Sequence, residues 1–151
     1  ALLSALSGIP INQGIAVTGS VDQFGNIQPI GGANEKIEGF FCYCSYRGLT
    51  GKQGVLLPKQ NILNLMLDHE VLEAVRKGLF HVWTVETVEE GIEILTGTSA
   101  GTPDEKGNYP AGTVFRGVMD QLKVWSEKAS QTKKSNGKKT ENAEDASEND
   151  D

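Results

Sequence analysis

The chain has 151 residues, of which 38% are hydrophobic and 23% are charged, and its formal net charge is -6. This composition is typical of a soluble globular domain with room for a real core. The acidic balance argues against nucleic acid or an anionic membrane surface as the main partner. No apolar run is long enough to span a bilayer, and two cysteines without an export signal favour a cytoplasmic protein.

The beginning of the chain resembles the last turns of a helix. Leu2, Leu3 and Leu6 recur at helical spacing, and Gly8 is a typical helix stop. Neither an initiator methionine nor an N-cap residue precedes these leucines. We therefore expect the chain to be a fragment of a longer protein, incomplete at its N-terminus.

A hairpin and a helix are predicted next. Apolar residues in 11–30 flank the polar cluster 22–26, whose composition is typical of a tight turn. A helix is predicted from about Asn34 to Arg47, with Asn34 as its N-cap and Gly48 as its stop. Its apolar face repeats at i, i+3, i+4 and i+7 and consists of Ile37, Phe40, Phe41 and Cys44.

Strands and helices alternate further along the chain. The pattern predicts a short buried strand, two helical pieces, a second strand and a helix that opens with capping-box spacing. These lie at 54–58, 62–66, 70–77, 80–85 and from Thr87 onward. This succession predicts an α+β fold class with α/β-like layers.

Composition divides the chain into four parts. A domain over 1–97 is followed by a Gly/Pro-rich linker at 98–112 and an amphipathic helix at 113–129. A charged tail at 130–151 has almost no apolar residue, so we expect it to be disordered.

The segment that most clearly indicates a reaction places a lysine at the start of a helix. Lys36 follows the pair Gly31-Gly32 and falls in the first turn of the predicted helix. An ammonium there faces the positive end of the helix dipole and loses some solvent, and both effects favour the neutral amine that a general base requires. Position alone nevertheless favours an ordinary solvated lysine.

A wider pattern around Lys36 resembles the peptidase signature of the Lon family of ATP-dependent proteases, in its bacterial Lon-like branch. The shared residues are Gly8-Ile9-Pro10, Ala16-x-Thr18-Gly19-Ser20, Gly25-x-x-x-Pro29-Ile30-Gly31-Gly32 and the run Asn34-Glu35-Lys36-Ile37-Glu38-Gly39-Phe40-Phe41. The resemblance continues through Gly54-Val55-x-x-Pro58, Leu95-Thr96-Gly97 and Tyr109-Pro110 to about residue 130.

This resemblance implies a Ser–Lys dyad, a variant of hydroxyl-nucleophile catalysis in which lysine replaces histidine. By this resemblance Lys36 matches the dyad lysine and would act as the general base, and Thr18 matches a threonine that helps to hold it. An ordinary strand-end threonine is an equal alternative for Thr18. The family fold that the resemblance implies is similar to the ribosomal protein S5 domain 2-like fold.

The nucleophilic serine of the family falls before Ala1 in this register. Ser4 is followed by a small residue, as the family nucleophile is, but Gly8, Pro10 and Thr18 assign it to the end of the first helix. The resemblance therefore implies that this chain by itself has no peptidase activity.

Other chemistry-bearing residues give weaker signals. Cys42 and Cys44 lie on different faces of the predicted helix and cannot close one metal site, with Cys44 expected in the core and Cys42 at its border. His69 and His81 have no ligands at zinc spacing, and the glycines at 31–32 do not form a phosphate loop. We expect neither metal nor cofactor in this chain.

The resemblance also implies partners. These are polypeptide substrates, a AAA+ ATPase module that binds ATP and Mg elsewhere in the full-length protein, and a homo-hexameric ring. Two alternatives remain open at this point. One is a non-proteolytic Lon-like scaffold, of DNA-repair or competence type, that has lost the serine. The other is a generic binding domain in which the match around Glu35-Lys36 is accidental.

Overall fold

A computed structural model of the chain describes the backbone of residues 1–144 and the side chains of residues 1–131. Helices and strands are mixed along it, which confirms the α+β class. The elements are α1 (Leu2–Ser7), β1 (Ile15–Val17), β2 (Ser20–Val21), β3 (Ile27–Gln28), α2 (Ala33–Arg47), β4 (Gly54–Pro58), a 3₁₀ helix (Lys59–Asn64), α3 (His69–Arg76), β5 (His81–Val85), α4 (Val88–Thr96) and α5 (Val114–Glu144). Within the described residues, no helix combines the length and apolarity needed to cross a membrane.

A three-stranded parallel sheet in the order β1-β4-β5 forms the centre of the fold. All five residues of β4 are buried. A central parallel strand is covered on both faces, so its sequence is continuously apolar instead of alternating. The strand predicted at 54–58 is confirmed, and its burial on both faces explains its continuously apolar sequence.

The side chains of β4 alternate between two packing layers. Val55 and Leu57 join the larger core. Helices α2 and α3 and the residue before β5 complete it with Ile37, Phe41, Cys44, Val71, Ala74 and Phe80. Leu56 points to the opposite face, where α4 comes so close that a Cβ on Gly91 would lie 3.6 Å from Leu56 Cδ2. The sheet therefore lies between a two-helix layer and α4.

The predicted hairpin is confirmed, and it is anchored to the carboxyl end of β5. Strands β2 and β3 pair antiparallel, with Val21 opposite Ile27. The Ile27 amide donates to the Glu86 carbonyl oxygen at 2.8 Å, and the Val88 amide donates to that of Gly25 at 3.0 Å. These backbone bonds hold the hairpin beside the carboxyl end of the sheet.

The hairpin turn contains an Asp-x-x-Gly-Asn loop that recurs in the linker. In both loops the aspartate Oδ1 accepts from two backbone amides, those of Phe24 and Asn26 or of Lys106 and Asn108. The asparagine amide group also donates to the aspartate, and the glycine has a positive φ, 87° at Gly25 and 79° at Gly107. Glycine adopts this conformation without steric cost, which explains its place in both loops.

These loops predict a specific acid sensitivity. The amide group of Asn26 lowers the pKa of Asp22, and the backbone amide of Asn108 lowers that of Asp104. A carboxylate with a depressed folded-state pKa stabilises the fold above its unfolded pKa, and this contribution is lost as the pH falls through the folded value. We expect the thermal midpoint of the Asp22→Asn, Asp104→Asn double variant to lie below wild type at pH 7. The difference in thermal midpoint between wild type and the double variant should become smaller below about pH 4. A gap that stays constant from pH 7 to pH 3 would contradict this assignment.

Three local expectations differ from the structure. The helical piece predicted at 62–66 is instead a 3₁₀ helix over Lys59–Asn64, and Leu65 is extended. The N-cap of α2 is Gly32, with φ 68°, and Asn34 is already helical. Helix α5 extends beyond 129 to Glu144. Part of the predicted charged tail, residues 145–151, lies outside the described residues.

Helix α5 crosses α1 at a close contact. A Cβ on Gly117 would lie 3.0 Å from the Ser7 carbonyl oxygen, so the small residue permits the two backbones to approach. Val114, Ala100 and Ile92 form a second core beneath this contact. The C-terminal helix is thereby packed against the first 97 residues through α1.

Candidate active site

Lys36 lies in the first part of α2, at the carboxyl end of the sheet. Its backbone amide donates to the Gly32 carbonyl oxygen at 3.2 Å, which makes it the residue that closes the first turn. Its side chain is exposed, and its ammonium donates to the Gly31 carbonyl oxygen at 3.1 Å. The lysine therefore folds back over the glycine pair that precedes its own helix.

The turn that carries Lys36 begins without a side-chain cap. Gly32 occupies the N-cap position in a left-handed conformation, which a residue with a Cβ rarely adopts. Asn34, which we expected to cap this helix, accepts a hydrogen bond from the Met66 amide at 3.0 Å instead. Four positions further along α2, Glu38 accepts from the Asp68 amide at 3.0 Å. Tertiary contacts, not a local cap, hold this end of the helix.

Thr18 directly follows β1 at the same end of the sheet. Its backbone amide donates to the Leu56 carbonyl oxygen at 3.0 Å, which extends the pairing between β1 and β4. A mostly apolar cavity of about 290 Å³ opens beside it, lined by Leu3, Val17, Thr18, Ile27, Leu56 and Val88 among others. Lys36 does not line this cavity, and within residues 1–131 no hydrogen bond joins it to Thr18. The structure brings the two residues to one end of the sheet without joining them directly.

A buried asparagine that the sequence did not indicate ties this region together. Asn61 is 7% exposed, and its side chain bonds both backbone groups of Ile30. The Ile30 amide donates to Asn61 Oδ1 at 3.1 Å, and Asn61 Nδ2 donates to the Ile30 carbonyl oxygen at 2.8 Å. A single asparagine in a polar stretch after a strand is typical of a loop, so the sequence carried no clear signal for this contact.

The serines of α1 have structural hydrogen bonds. The Ser4 hydroxyl donates to the Ile9 carbonyl oxygen at 2.7 Å, and the Ser7 hydroxyl donates to that of Ser4 at 3.4 Å. Both bonds satisfy carbonyl groups near the end of the helix, where Gly8 has φ 72°. This geometry supports our interpretation of Ser4 as part of a helix end.

The cysteines and histidines have different surroundings in the fold. Cys44 is buried in the larger core, where burial raises the pKa of its thiol, and Cys42 is exposed. His81 stacks on Trp83 with ring centroids 5.1 Å apart, and its Nε2 lies 2.9 Å from the Gly51 carbonyl oxygen. Among the described residues, no three His, Cys, Asp or Glu side chains converge on a point where a metal ion could bind.

The arrangement as a whole offers an exposed amine beside an edge where ligands commonly bind. Parallel strands place their carboxyl ends together, and the loops that follow them line a shared crevice. Here β1 leads to Thr18, β4 leads to Asn61, and the connection from β3 leads to Lys36. A lysine amine at such an edge is a general-base candidate when a hydroxyl nucleophile lies within hydrogen-bond reach.

The sequence of this region is similar to that of known proteins. The family model for the Lon protease (S16) C-terminal proteolytic domain matches residues 1–97. A putative Lon protease homolog of Escherichia coli K12 is 55% identical over 95 residues, which cover 63% of this chain and 16% of that protein. A putative Lon protease homolog of Haemophilus influenzae is 43% identical over 123 residues, which cover 82% of this chain and 20% of that protein.

An archaeal Lon protease of Archaeoglobus fulgidus is 34% identical over 93 residues, which cover 62% of this chain and 13% of that protein. The chain thus spans a fifth or less of the length of each of these relatives. The match over residues 1–97 includes Thr18, the glycine pair and Lys36. The chain belongs to the Lon protease (S16) family, and its residues 1–97 match the C-terminal proteolytic domain of that family.

Proposed function

We propose that this chain is part of an ATP-dependent serine endopeptidase for intracellular protein degradation, with Lys36 as the general base of a Ser–Lys dyad. The observation that carries the proposal is the position of Lys36. It closes the first turn of α2 directly after the glycine pair, within the range matched by the family model. Because the chain spans a fifth or less of its relatives, the activity of the whole protein is part of the proposal.

The proposed chemistry is acyl transfer through a serine outside these 151 residues. The Lys36 amine takes the proton of the serine hydroxyl as the serine oxygen attacks the scissile carbonyl carbon. The resulting ammonium then gives that proton to the leaving amine as the C–N bond breaks. Thr18, at the end of β1, supports the lysine in this proposal.

Further features follow from the same proposal. The domain adopts a fold similar to ribosomal protein S5 domain 2, and the complete protein is a cytoplasmic hexamer that degrades polypeptides. In this proposal ATP and Mg bind to a AAA+ module outside these 151 residues. Without the serine and that module, the chain alone should have no peptidase activity.

The coding sequence upstream of Ala1 provides the first test. The proposal requires a serine with small neighbours about one to three helical turns before Ala1 in the same reading frame. Exchange of that serine for alanine in the full-length protein should abolish peptide cleavage and leave ATP hydrolysis measurable. An alanine or glycine at that place in the natural sequence would favour the non-proteolytic scaffold instead.

A further inference from the structure

The connection that leads to Lys36 consists of Pro29, Ile30 and the pair Gly31-Gly32. The glycine pair has little conformational restraint of its own, and a Cβ placed on Gly31 would meet no atom within 4 Å. Glycine loses more conformational freedom on folding than other residues, so such a segment needs external contacts to keep one shape. The Gly31 carbonyl oxygen, which accepts the Lys36 ammonium, belongs to this segment.

Asn61 supplies these contacts from the next crossover. Its carboxamide accepts from the Ile30 amide and donates to the Ile30 carbonyl oxygen, so it holds the peptide groups on both sides of the Ile30 Cα. The carbonyl of Ile30 lies in the peptide group that leads directly into Gly31. Asn61 is 7% exposed and is the buried residue of the 3₁₀ helix that follows β4, so its own position is set by its packing against the protein interior.

A second contact from the same segment reaches the other side of the glycine pair. Asn34, the second residue of α2, accepts from the Met66 amide. Residues 61–66 therefore hold the chain before Gly31 and after Gly32. A shift of this segment would move both the carbonyl that receives the lysine and the helix that carries it.

We propose that Asn61 is a positioning residue for Lys36. Its side chain fixes the backbone from Ile30 to Gly32 and thereby the place of the Lys36 amine at the end of the sheet. This inference rests on the proposed function, because the position of the amine matters for catalysis only if Lys36 is the base. Asn61 itself does not touch the reacting atoms.

The test compares variants of the full-length protein in steady-state hydrolysis of a fluorogenic peptide. Misplacing a catalytic group by about 1 Å costs on the order of 100-fold, so Asn61→Ala should lower kcat by about 10- to 100-fold. KM should change little, since peptide binding does not depend on the base. Asn61→Asp keeps the side-chain size and the acceptor for the Ile30 amide, so its kcat should lie between those of wild type and Asn61→Ala.

Two matched controls separate positioning from stability. Gln60→Ala removes the neighbouring side chain, whose amide group donates at 3.5 Å to the carbonyl oxygen of Ile27, a residue of β3 and not of the glycine segment. It should retain kcat within about twofold of wild type. Val71→Ala removes buried volume from the larger core and should lower the thermal midpoint without changing kcat per folded molecule.

The outcomes distinguish this inference from the function on which it rests. Wild-type kcat in a folded Asn61→Ala variant, with Lys36→Gln inactive, would overturn the positioning role and leave the dyad in place. Equal kcat losses in Asn61→Ala and Val71→Ala would overturn it as well, because the loss would then follow stability. Should Asn61→Ala fail to fold, Asn61→Asp decides the question, and wild-type kcat in that variant refutes the role. An active Lys36→Gln variant would remove the proposed function itself.

Discussion

Replacement of Lys36 by glutamine in the full-length protein is expected to lower peptide hydrolysis by at least about 10²- to 10⁴-fold, the range typical of a lost general base. Glutamine keeps a polar side chain, one bond shorter than that of lysine, at this exposed position. It has no amine that can accept the proton of a serine hydroxyl. The variant should therefore fold, hydrolyse ATP and fail to cleave peptides.

A second lysine provides the matched control for this experiment. Lys52 is exposed in the loop before β4, away from the carboxyl end of the sheet. Lys52→Gln changes the net charge by the same amount as Lys36→Gln, so any general effect of charge appears in both variants. We expect the control to cleave peptide at the wild-type rate. Peptide cleavage by Lys36→Gln at a rate close to that of the control would show that Lys36 is not the base.

Exchange of Gly54 for alanine is expected to give the largest loss of stability. Gly54 begins β4 and pairs with Ile15 on one side and His81 on the other. An added Cβ would overlap the His81 carbonyl oxygen and lie 2.6 Å from Trp83 Cζ3 and 2.8 Å from the His81 carbonyl carbon. Backbone of a central parallel sheet cannot yield without breaking pairing, so we expect a loss of about 3 kcal/mol, at the upper end for overpacking.

Gly39→Ala is the control for this change, because Gly39 is exposed within α2 and its added Cβ would meet no atom within 4 Å. Alanine is favoured over glycine in a helix interior, so this variant should gain about 0.5–1 kcal/mol. Urea denaturation of both variants measures the two free energies of unfolding. A Gly54→Ala variant as stable as wild type would mean that β4 and β5 are not paired in the register described here.

Hydrophobic period and turn chemistry made most elements predictable from the sequence. The face of α2 with Ile37, Phe41 and Cys44 is buried as the helical spacing predicted. Thr87 accepts from the Glu90 amide at 3.3 Å, as expected for the residue that opens α4. The reciprocal bond of the capping box is shifted by one residue, however. The Glu90 carboxylate accepts from the Glu86 amide at 2.7 Å instead of from the amide of the N-cap residue Thr87.

The predictions were wrong where a polar side chain bonds to backbone that is distant in the sequence instead of to its own helix end. Asn34 has the composition of an N-cap, yet the Met66 amide takes its side-chain oxygen and Gly32 begins the helix instead. The helical piece predicted at 62–66 was misplaced relative to the 3₁₀ helix at Lys59–Asn64. The position of that helix depends on the bonds of Asn61 to Ile30, 31 positions earlier in the chain. Local spacing contains no information about such partners.

The sequence by itself determined the family signature around Lys36, the apolar faces that pack on the sheet and the glycine pair before α2, because each is a local pattern of residue types. Only the tertiary structure decided how Lys36 is held. Its ammonium donates to the Gly31 carbonyl oxygen. The backbone before that glycine is held at Ile30 by Asn61, which follows β4 in the sequence, whereas Ile30 precedes it. Long-range hydrogen bonds to backbone carry no residue pattern, since every amide and carbonyl offers the same partner.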